Sequence, residues 1–410
     1  MATRGLLIGL EVAVAVSILG DVPPGEACTA LVASGPATVS GAPMLWKNRD
    51  TGTLANKLVF VDESPHDYLC LANADSDSGR FCYAGLNDAG FAIINTVAYN
   101  LPSDSGGLAD LEGQIMAEAL RTCRTVDDFA RFLGANLGPD LGSLATFGVL
   151  DASGAATVFE VANHGFERLE TAGQPGSRLV VTNFARSGGD GEGEGYLRFE
   201  RASALVDAFA PGALDPMTVL HTFTRDLGHA RLDHPTLDSL AGQPASPPRW
   251  ISSRDCIDRP STAAAVVILG ATPLEPPRPP MLWVIPGEPL TAVAVPVWVD
   301  AGKSPAALSG GDEAPLWQAS MRLKRLLRPS TSGHQGDYLD LTRLDNADGT
   351  GFLPGLMATE REILAATEAF LAEPRTPEEL AAFQEEMAEK ALTAITAASG
   401  AKLQDPRISP

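Results

Sequence analysis

Short apolar runs joined through turn-forming tetrads punctuate this chain and restrict much of it to antiparallel sheet. Phe81-Cys82-Tyr83-Ala84-Gly85-Leu86 leads into Asn87-Asp88-Ala89-Gly90 and out through Phe91 to Asn95. Such a turn between two apolar runs predicts a β-hairpin, because Asn, Asp and Gly accept the tight backbone that the connection demands. Phe147 to Leu150, the turn Asp151-Ala152-Ser153-Gly154, and Thr157 to Val161 follow the same plan.

Further strands are expected at Thr29 to Ala33, Pro43 to Lys47, Lys57 to Asp62, Arg178 to Asn183, Ala263 to Leu269, Met281 to Ile285 and Thr291 to Val299. Helical spacing of Leu111, Ile115, Ala119 and Leu120 predicts one helix. Thr125-Val126-Asp127-Asp128 predicts the capped start of a second, running through Leu133. A helix is expected near Leu197 to Phe209, after the glycine- and acid-rich loop Gly188 to Gly195. Glu360 to Ala398 reads as helix, broken at Pro374 and restarted at Thr376-Pro377-Glu378-Glu379. Hairpins dominate and helices do not alternate strictly with strands, so a layered α+β fold is expected rather than a doubly wound sheet. Three segments are expected: a leader over 1–27, a main domain over 28–345 and a helical extension over 346–410.

With 410 residues, 45% of them apolar, the chain can bury a large core. A net charge of −21 argues against nucleic acid and anionic membrane surfaces as partners. No apolar stretch beyond the leader is long enough to span a bilayer. No Gly-rich phosphate loop follows a strand. The cysteines Cys28, Cys70, Cys82, Cys123 and Cys256 form no C-x-x-C pair, so no structural zinc and no cofactor is expected. Cys70 and Cys82 flank the polar turn Asn73 to Gly79, and either a disulfide or two buried free thiols fits that spacing.

The leader has a weakly basic start, an apolar run from Leu6 to Leu19 and a break at Pro23-Pro24. Gly25 and Ala27 then place small residues three and one before Cys28, the layout of a secretory cleavage site. Removal just before Cys28 makes it the first residue, so that one amino acid holds a thiol nucleophile and a free α-amine. Their ordinary pKa values, ~8.5 and ~7.7–8, suit proton exchange near neutrality. Two other readings stand beside this one: a helix that stays attached, and a lipoprotein signal with a lipid on Cys28.

A thiol nucleophile needs its base held and its oxyanion stabilised. Trp46-Lys47-Asn48-Arg49-Asp50-Thr51 packs two cations and a carboxylate at the end of the second expected strand, and Asp50 is suited to hold an α-amine. Taken alone, such a cluster also reads as a solvated strand end. Asn95 and Asn183 sit at the expected ends of apolar strands, where an amide either starts a turn or donates to an oxyanion.

The Cys28-Thr29-Ala30-Leu31 opening, the Asn48-Arg49-Asp50 segment, the Gly85-Leu86-Asn87-x-x-Gly90 turn and Thr182-Asn183 occur in one order. From Cys28 to about Val299 this resembles the N-terminal-nucleophile hydrolases of the choloylglycine hydrolase, penicillin V acylase and acyl-CoA:6-aminopenicillanic acid acyltransferase group. The resemblance implies a four-layer αββα sandwich and chemistry at linear, non-peptide amides. It implies Cys28 as nucleophile and base, Asp50 on the α-amine, Asn95 as oxyanion donor and Asn183 orienting amine or substrate. It also implies two cations near the thiol, with Lys47 at the first position, Arg49 as its rival and a substrate-binding candidate, and Arg259 at the second.

The expected function is a secreted or periplasmic amidase that works through a thioester on a small-molecule acyl amide. An acyltransferase using the same site, a non-catalytic lipoprotein, and a cytoplasmic enzyme that removes its own leader are the alternatives.

Overall fold

The computed structural model describes residues 27–75, 79–102, 111–138, 142–272, 278–330 and 333–403. The leader expected over 1–27 therefore lies outside the described residues except for Ala27. The strands in chain order are β1 (Thr29–Ala33), β2 (Met44–Asp50), β3 (Asn56–Val61), β4 (Tyr68–Asn73) and β5 (Ala84–Asn87). They continue with β6 (Ala92–Val97), β7 (Ala145–Leu150), β8 (Ala156–Ala162), β9 (Gly165–Glu170) and β10 (Arg178–Val181). The last five are β11 (Trp250–Ser252), β12 (Thr262–Leu269), β13 (Met281–Pro286), β14 (Val295–Val297) and β15 (Tyr338–Asp340).

These strands build a seven-stranded meander from β3 to β9 and a six-stranded sheet in the order β10-β1-β2-β12-β13-β14, with β11 and β15 paired apart. All pairings in the two large sheets are antiparallel, as the hairpin turns require. The sheets stack face to face, with β1 and β2 lying against β6 and β7.

Helices cover both outer faces. On the meander, Glu112–Thr122 and Val126–Asn136 place Ile115, Leu120, Phe129 and Leu133 against Ile93, Phe147 and Phe159. Thr125 caps the second of these helices with the expected reciprocal box: its side chain accepts from Asp128 N, and Asp128 accepts from its backbone. On the six-stranded sheet lie Tyr196–Asp207, Pro315–Leu327, Leu353–Phe370 and Pro377–Leu403. The result is a four-layer αββα sandwich. The inner strands are shielded on both faces, so β1, β2 and β13 are buried along their whole length rather than alternately. The outer edge strand β9 is half exposed and carries Glu167, Arg168 and Glu170, charges that discourage further strand addition.

Several expectations change in detail. Thr291 to Val299 is not one strand: Pro289–Thr291 is a 3₁₀ turn and only Val295–Val297 pairs. The strand expected to end at Asn95 continues to Val97, and β10 stops two residues short of Asn183. Cys70 and Cys82 are buried free thiols, not a disulfide.

The helix Leu353–Phe370 is tied to the sandwich by a buried ion pair. Arg225 donates to both oxygens of Glu360 at 2.9 and 2.7 Å, and Ala294 N adds a bond at 2.8 Å. Burial pushes the Glu360 carboxyl up, but the charges and hydrogen bonds of Arg225 and His221 outweigh it and hold the group at about 2. Replacing Glu360 by Ala strands a desolvated guanidinium. We expect a loss of ~3–5 kcal/mol in urea unfolding, with no comparable loss for an exposed control such as Glu386→Ala.

Candidate active site

The polar cluster on β2 is not a solvated strand end. Lys47, Asn48, Arg49 and Asp50 are all at most 2% exposed. Burying four polar side chains in succession is costly unless each finds partners, and strand alternation sends them to two sides.

Lys47 and Arg49 cross to the meander. Lys47 Nζ donates to Tyr83 O at 2.8 Å and to Asn95 Oδ1 at 2.5 Å. Arg49 donates to Asn56 Oδ1 and, at 2.8 Å, to Asn73 Oδ1, and its guanidinium lies 3.9 Å from the centre of the Tyr83 ring. On the other side, Asn48 Nδ2 donates to Thr224 O at 2.8 Å while its Oδ1 accepts from Trp46 Nε1 at 3.0 Å. Asp50 Oδ1 accepts from Thr262 Oγ1 at 2.7 Å, but Oδ2 is buried with no hydrogen-bond partner.

Cys28 lies just ahead of β1, where the β1–β2 ladder runs out. Ala27 N donates to Asp50 O at 3.2 Å, and Cys28 Sγ lies 3.9 Å from the same oxygen. Cys28 is only 4% exposed. Arg198, in the helix Tyr196–Asp207, locks this end of the chain. Its Nη1 donates to Cys28 O at 2.6 Å and Thr29 Oγ1 at 2.9 Å, and its Nη2 donates to Asn183 Oδ1 at 2.7 Å. Asn183 in turn donates to Val97 O at 3.0 Å, bridging to the meander.

Arg259 joins the same cluster through the turn before β12. Its backbone N–H donates to Thr262 Oγ1 at 3.0 Å, the hydroxyl that serves Asp50. Lys324 Nζ fixes that turn by donating to Pro260 O at 2.7 Å and Thr262 O at 3.1 Å.

The electrostatics follow from this packing. Burial raises the Asp50 carboxyl from 3.8 to about 6, although Arg259, Arg198, the Thr262 hydroxyl and Lys324 all pull it down. Burial, with Arg259 next, lowers Arg198 to about 10 against the attraction of Asp50 and Cys28.

Thus Cys28, Asp50, Asn183 and Arg259 converge on one end of β1 and β2, linked by Arg198 and Thr262. Lys47 and Asn95 form a pair that bridges the two sheets. Lys47 occupies the carbonyl end of the Asn95 amide, which leaves the NH₂ end as the donor. Arg49 is held away from the pocket by Asn56, Asn73 and Tyr83. Arg198 is the residue that sequence spacing missed, because it reads as one more charge on an amphipathic helix. Gly195 just before that helix is its trace: φ is +82°, and a Cβ there would meet Arg198 Nη2 at 2.7 Å.

A pocket of about 1120 Å³ opens beside this cluster, lined among others by Ala27, Thr51, Arg198, Arg259 and Met321. Among the described residues no group of three or more His, Cys, Asp or Glu side chains converges to hold a metal, and no helix is long and apolar enough to cross a membrane. Cys256 lies 3.6 Å from His234 Nδ1, and its thiol is buried. Its thiol faces Leu227 O at 3.2 Å, and burial with Asp226 and Asp258 pushes it up to about 12.

No protein-family model and no curated protein sequence matches the chain. Among solved structures it is similar to the penicillin V acylase of Agrobacterium tumefaciens, with 16% identity over 66% of this chain and 86% of that one and a TM-score of 0.40. It is also similar to the Caenorhabditis elegans ortholog of N-acylethanolamine-hydrolyzing acid amidase, with 16% identity over 48% of this chain and 86% of that one and a TM-score of 0.35. A variant of the conjugated bile acid hydrolase of Clostridium perfringens aligns at 14% identity over 47% of this chain and 77% of that one, with a TM-score of 0.32.

The Asp50 carboxyl gives a test of the site. Its folded pKa is raised, so the folded state holds the proton longer than the unfolded state does, and its contribution favours folding at low pH. That contribution falls as pH rises from 3.8 to about 6. We expect the stability of the chain relative to its Asp50→Asn variant to drop by up to ~3 kcal/mol between pH 4 and pH 7, measured by urea unfolding. A difference that does not change with pH contradicts the assignment.

Proposed function

We propose that this chain is a precursor of a hydrolase of linear amides in which Cys28, freed at its α-nitrogen, is the nucleophile. The observation that carries this reading is the buried, partnerless Oδ2 of Asp50, set where the backbone carbonyl of the same residue already holds Ala27 and faces Cys28 Sγ. A buried carboxylate oxygen without a donor is costly. An α-ammonium at Cys28 supplies that donor once the peptide through Ala27 is removed. The same cut clears Ala27, which lines the pocket while Cys28 lies almost wholly buried next to it.

The chemistry then runs as acyl transfer to sulfur. The α-amine takes the thiol proton, and the thiolate attacks the amide carbonyl carbon. The Asn95 amide NH₂ and a backbone N–H stabilise the oxyanion, with Lys47 holding Asn95 by its carbonyl oxygen. The α-ammonium gives its proton to the leaving amine as the C–N bond breaks, and Asp50 holds the nitrogen in place throughout. Water, deprotonated by the α-amine, then attacks the thioester, releasing the acid and restoring the thiol. Asn183 and Arg198 keep the first turn of backbone in register, and Arg259 adds positive charge on the pocket side.

Two measurements test this together. The intact mass of the working protein should correspond to a chain beginning at an unmodified Cys28; retained upstream peptide or a diacylglycerol mass contradicts the reading. In that mature form, Cys28→Ala should lower turnover of a chromogenic acyl anilide by at least ~10³-fold while leaving the unfolding midpoint close to that of the wild type. Unchanged turnover removes Cys28 from the chemistry.

A further inference from the structure

One lysine of the pocket wall is engaged with the protein itself. Lys324, in the helix Pro315–Leu327, is buried although it borders the cavity. An ammonium has three donors, and three oxygens surround this one. Lys324 Nζ donates to Pro260 O at 2.7 Å and Thr262 O at 3.1 Å, and it lies 3.1 Å from Glu288 Oε2.

Two of those oxygens flank Ser261 in the turn that leads into β12, where the ladder is irregular. Thr262 pairs with Asp50 and Ala264 with Arg49, so Ala263 is an extra residue, a β-bulge. A bulge interrupts the ladder and re-aims side chains. Here Thr262 Oγ1 meets Asp50 Oδ1 at 2.7 Å, and Arg259 N donates to the same hydroxyl at 3.0 Å. Thr51 N joins the turn to the end of β2 through Ser261 O at 2.9 Å. The same helix also grips the chain after Asp50. Trp317, two turns before Lys324 on one helical face, donates from Nε1 to Leu54 O at 2.7 Å, in the loop between β2 and β3.

Charge acts in the same sense as geometry. Burial raises the Asp50 carboxyl, while Arg259, Arg198, the Thr262 hydroxyl and Lys324 oppose the rise. The Cys28 thiol lies 3.9 Å from the Asp50 backbone oxygen. Behind Lys324, Glu288 is also held by Arg328 at 2.8 Å, and Arg328 lies 3.9 Å from Asp258.

We propose that Lys324 is a positioning residue for the reaction: it holds the 260–262 turn so that Thr262 fixes Asp50 beside the Cys28 nitrogen. The proposal deepens the reading of Cys28 as an amide-cleaving nucleophile and rests on it.

Steady-state kinetics of the mature enzyme on a chromogenic acyl anilide test it. We expect Lys324→Met and Thr262→Val each to lower kcat by roughly 10- to 10²-fold, with KM changed by less than about threefold, because the pocket wall stays while Asp50 loosens. The double variant should lose little more than the worse single one, since both act on one contact. Thr262→Ser keeps the hydroxyl and should retain most of kcat. Unchanged kcat, a loss confined to KM, or losses that multiply in the double variant overturn the proposal.

If no acyl anilide is cleaved, the reading of Cys28 fails separately, and urea unfolding decides the hold of Lys324 on Asp50. The stability difference between the chain and its Asp50→Asn variant is followed against pH, with Lys324 intact and with Lys324→Met. The Asp50 contribution is fully present below 3.8 and lost as pH rises through about 6. Removing a cation that opposes the rise should move that loss to higher pH, by about half a unit. Such a move upholds the hold; an unmoved profile overturns it. Lys324→Gln, which also removes the charge, serves in both experiments if Lys324→Met fails to fold.

Discussion

The structure depends on one burial: the Lys47-Asn48-Arg49-Asp50 end of β2, placed between the meander on one side and a helical layer on the other. Four adjacent polar side chains survive there only because each neighbour is positioned to serve one of them. Tyr83 and Asn95 receive Lys47, Asn56 and Asn73 receive Arg49, Thr224 receives Asn48, and Thr262 serves Asp50. These partners come from β3, β4, β6, β12, the chain just before β5 and the turn after the Val219–Phe223 helix. One strand end thereby fixes how the two sheets and the outer layer sit on each other. The single atom left over among these four side chains is Asp50 Oδ2, buried without a hydrogen-bond partner.

Arg198 plays the matching part for β1. A guanidinium has donors enough to hold a backbone carbonyl, a hydroxyl and an amide at once. It uses them on Cys28, Thr29 and Asn183. Its charge, with that of Arg259, also offsets part of the desolvation that raises Asp50. The electrostatics of the site therefore come from three chain segments, near positions 50, 198 and 259, far apart in sequence. The second line of buried charges, Asp258 and Glu288 with Lys324 and Arg328, lies behind the pocket wall. Burial and the Glu288 charge push Asp258 well above the usual carboxylate range, while Lys324 and Arg328 hold Glu288 below it. This network engages both cations from the inside but leaves Arg328 Nη1 buried without an acceptor; Arg259 and Arg325 also line the cavity.

Much of the fold was legible because its signals are local. The Asn87-Asp88-Ala89-Gly90 turn and the Thr125 cap each specify their geometry within four residues, and both formed as read. β1 spans the residues that its apolar run indicates. Where the reading slipped, a neighbour decided. Asn95 is a poor strand residue by preference, yet it stays within β6 because Phe147 pairs with it across β7. Thr291 to Val299 has strand composition, but only Val295–Val297 finds a partner in β13.

By itself, then, the sequence determined that the chain makes antiparallel sheets with helices on them, since turn chemistry and apolar periodicity are written along the chain. Only the tertiary structure decided that the charges of β2 are buried, that Arg198 rather than Arg49 stands at Cys28, and that a ring of cations faces one pocket of an acidic protein. The reason is physical. A charge acquires its role from the solvent it loses and the partners it meets, and both come from segments that are distant in sequence and adjacent only once the sheets have closed.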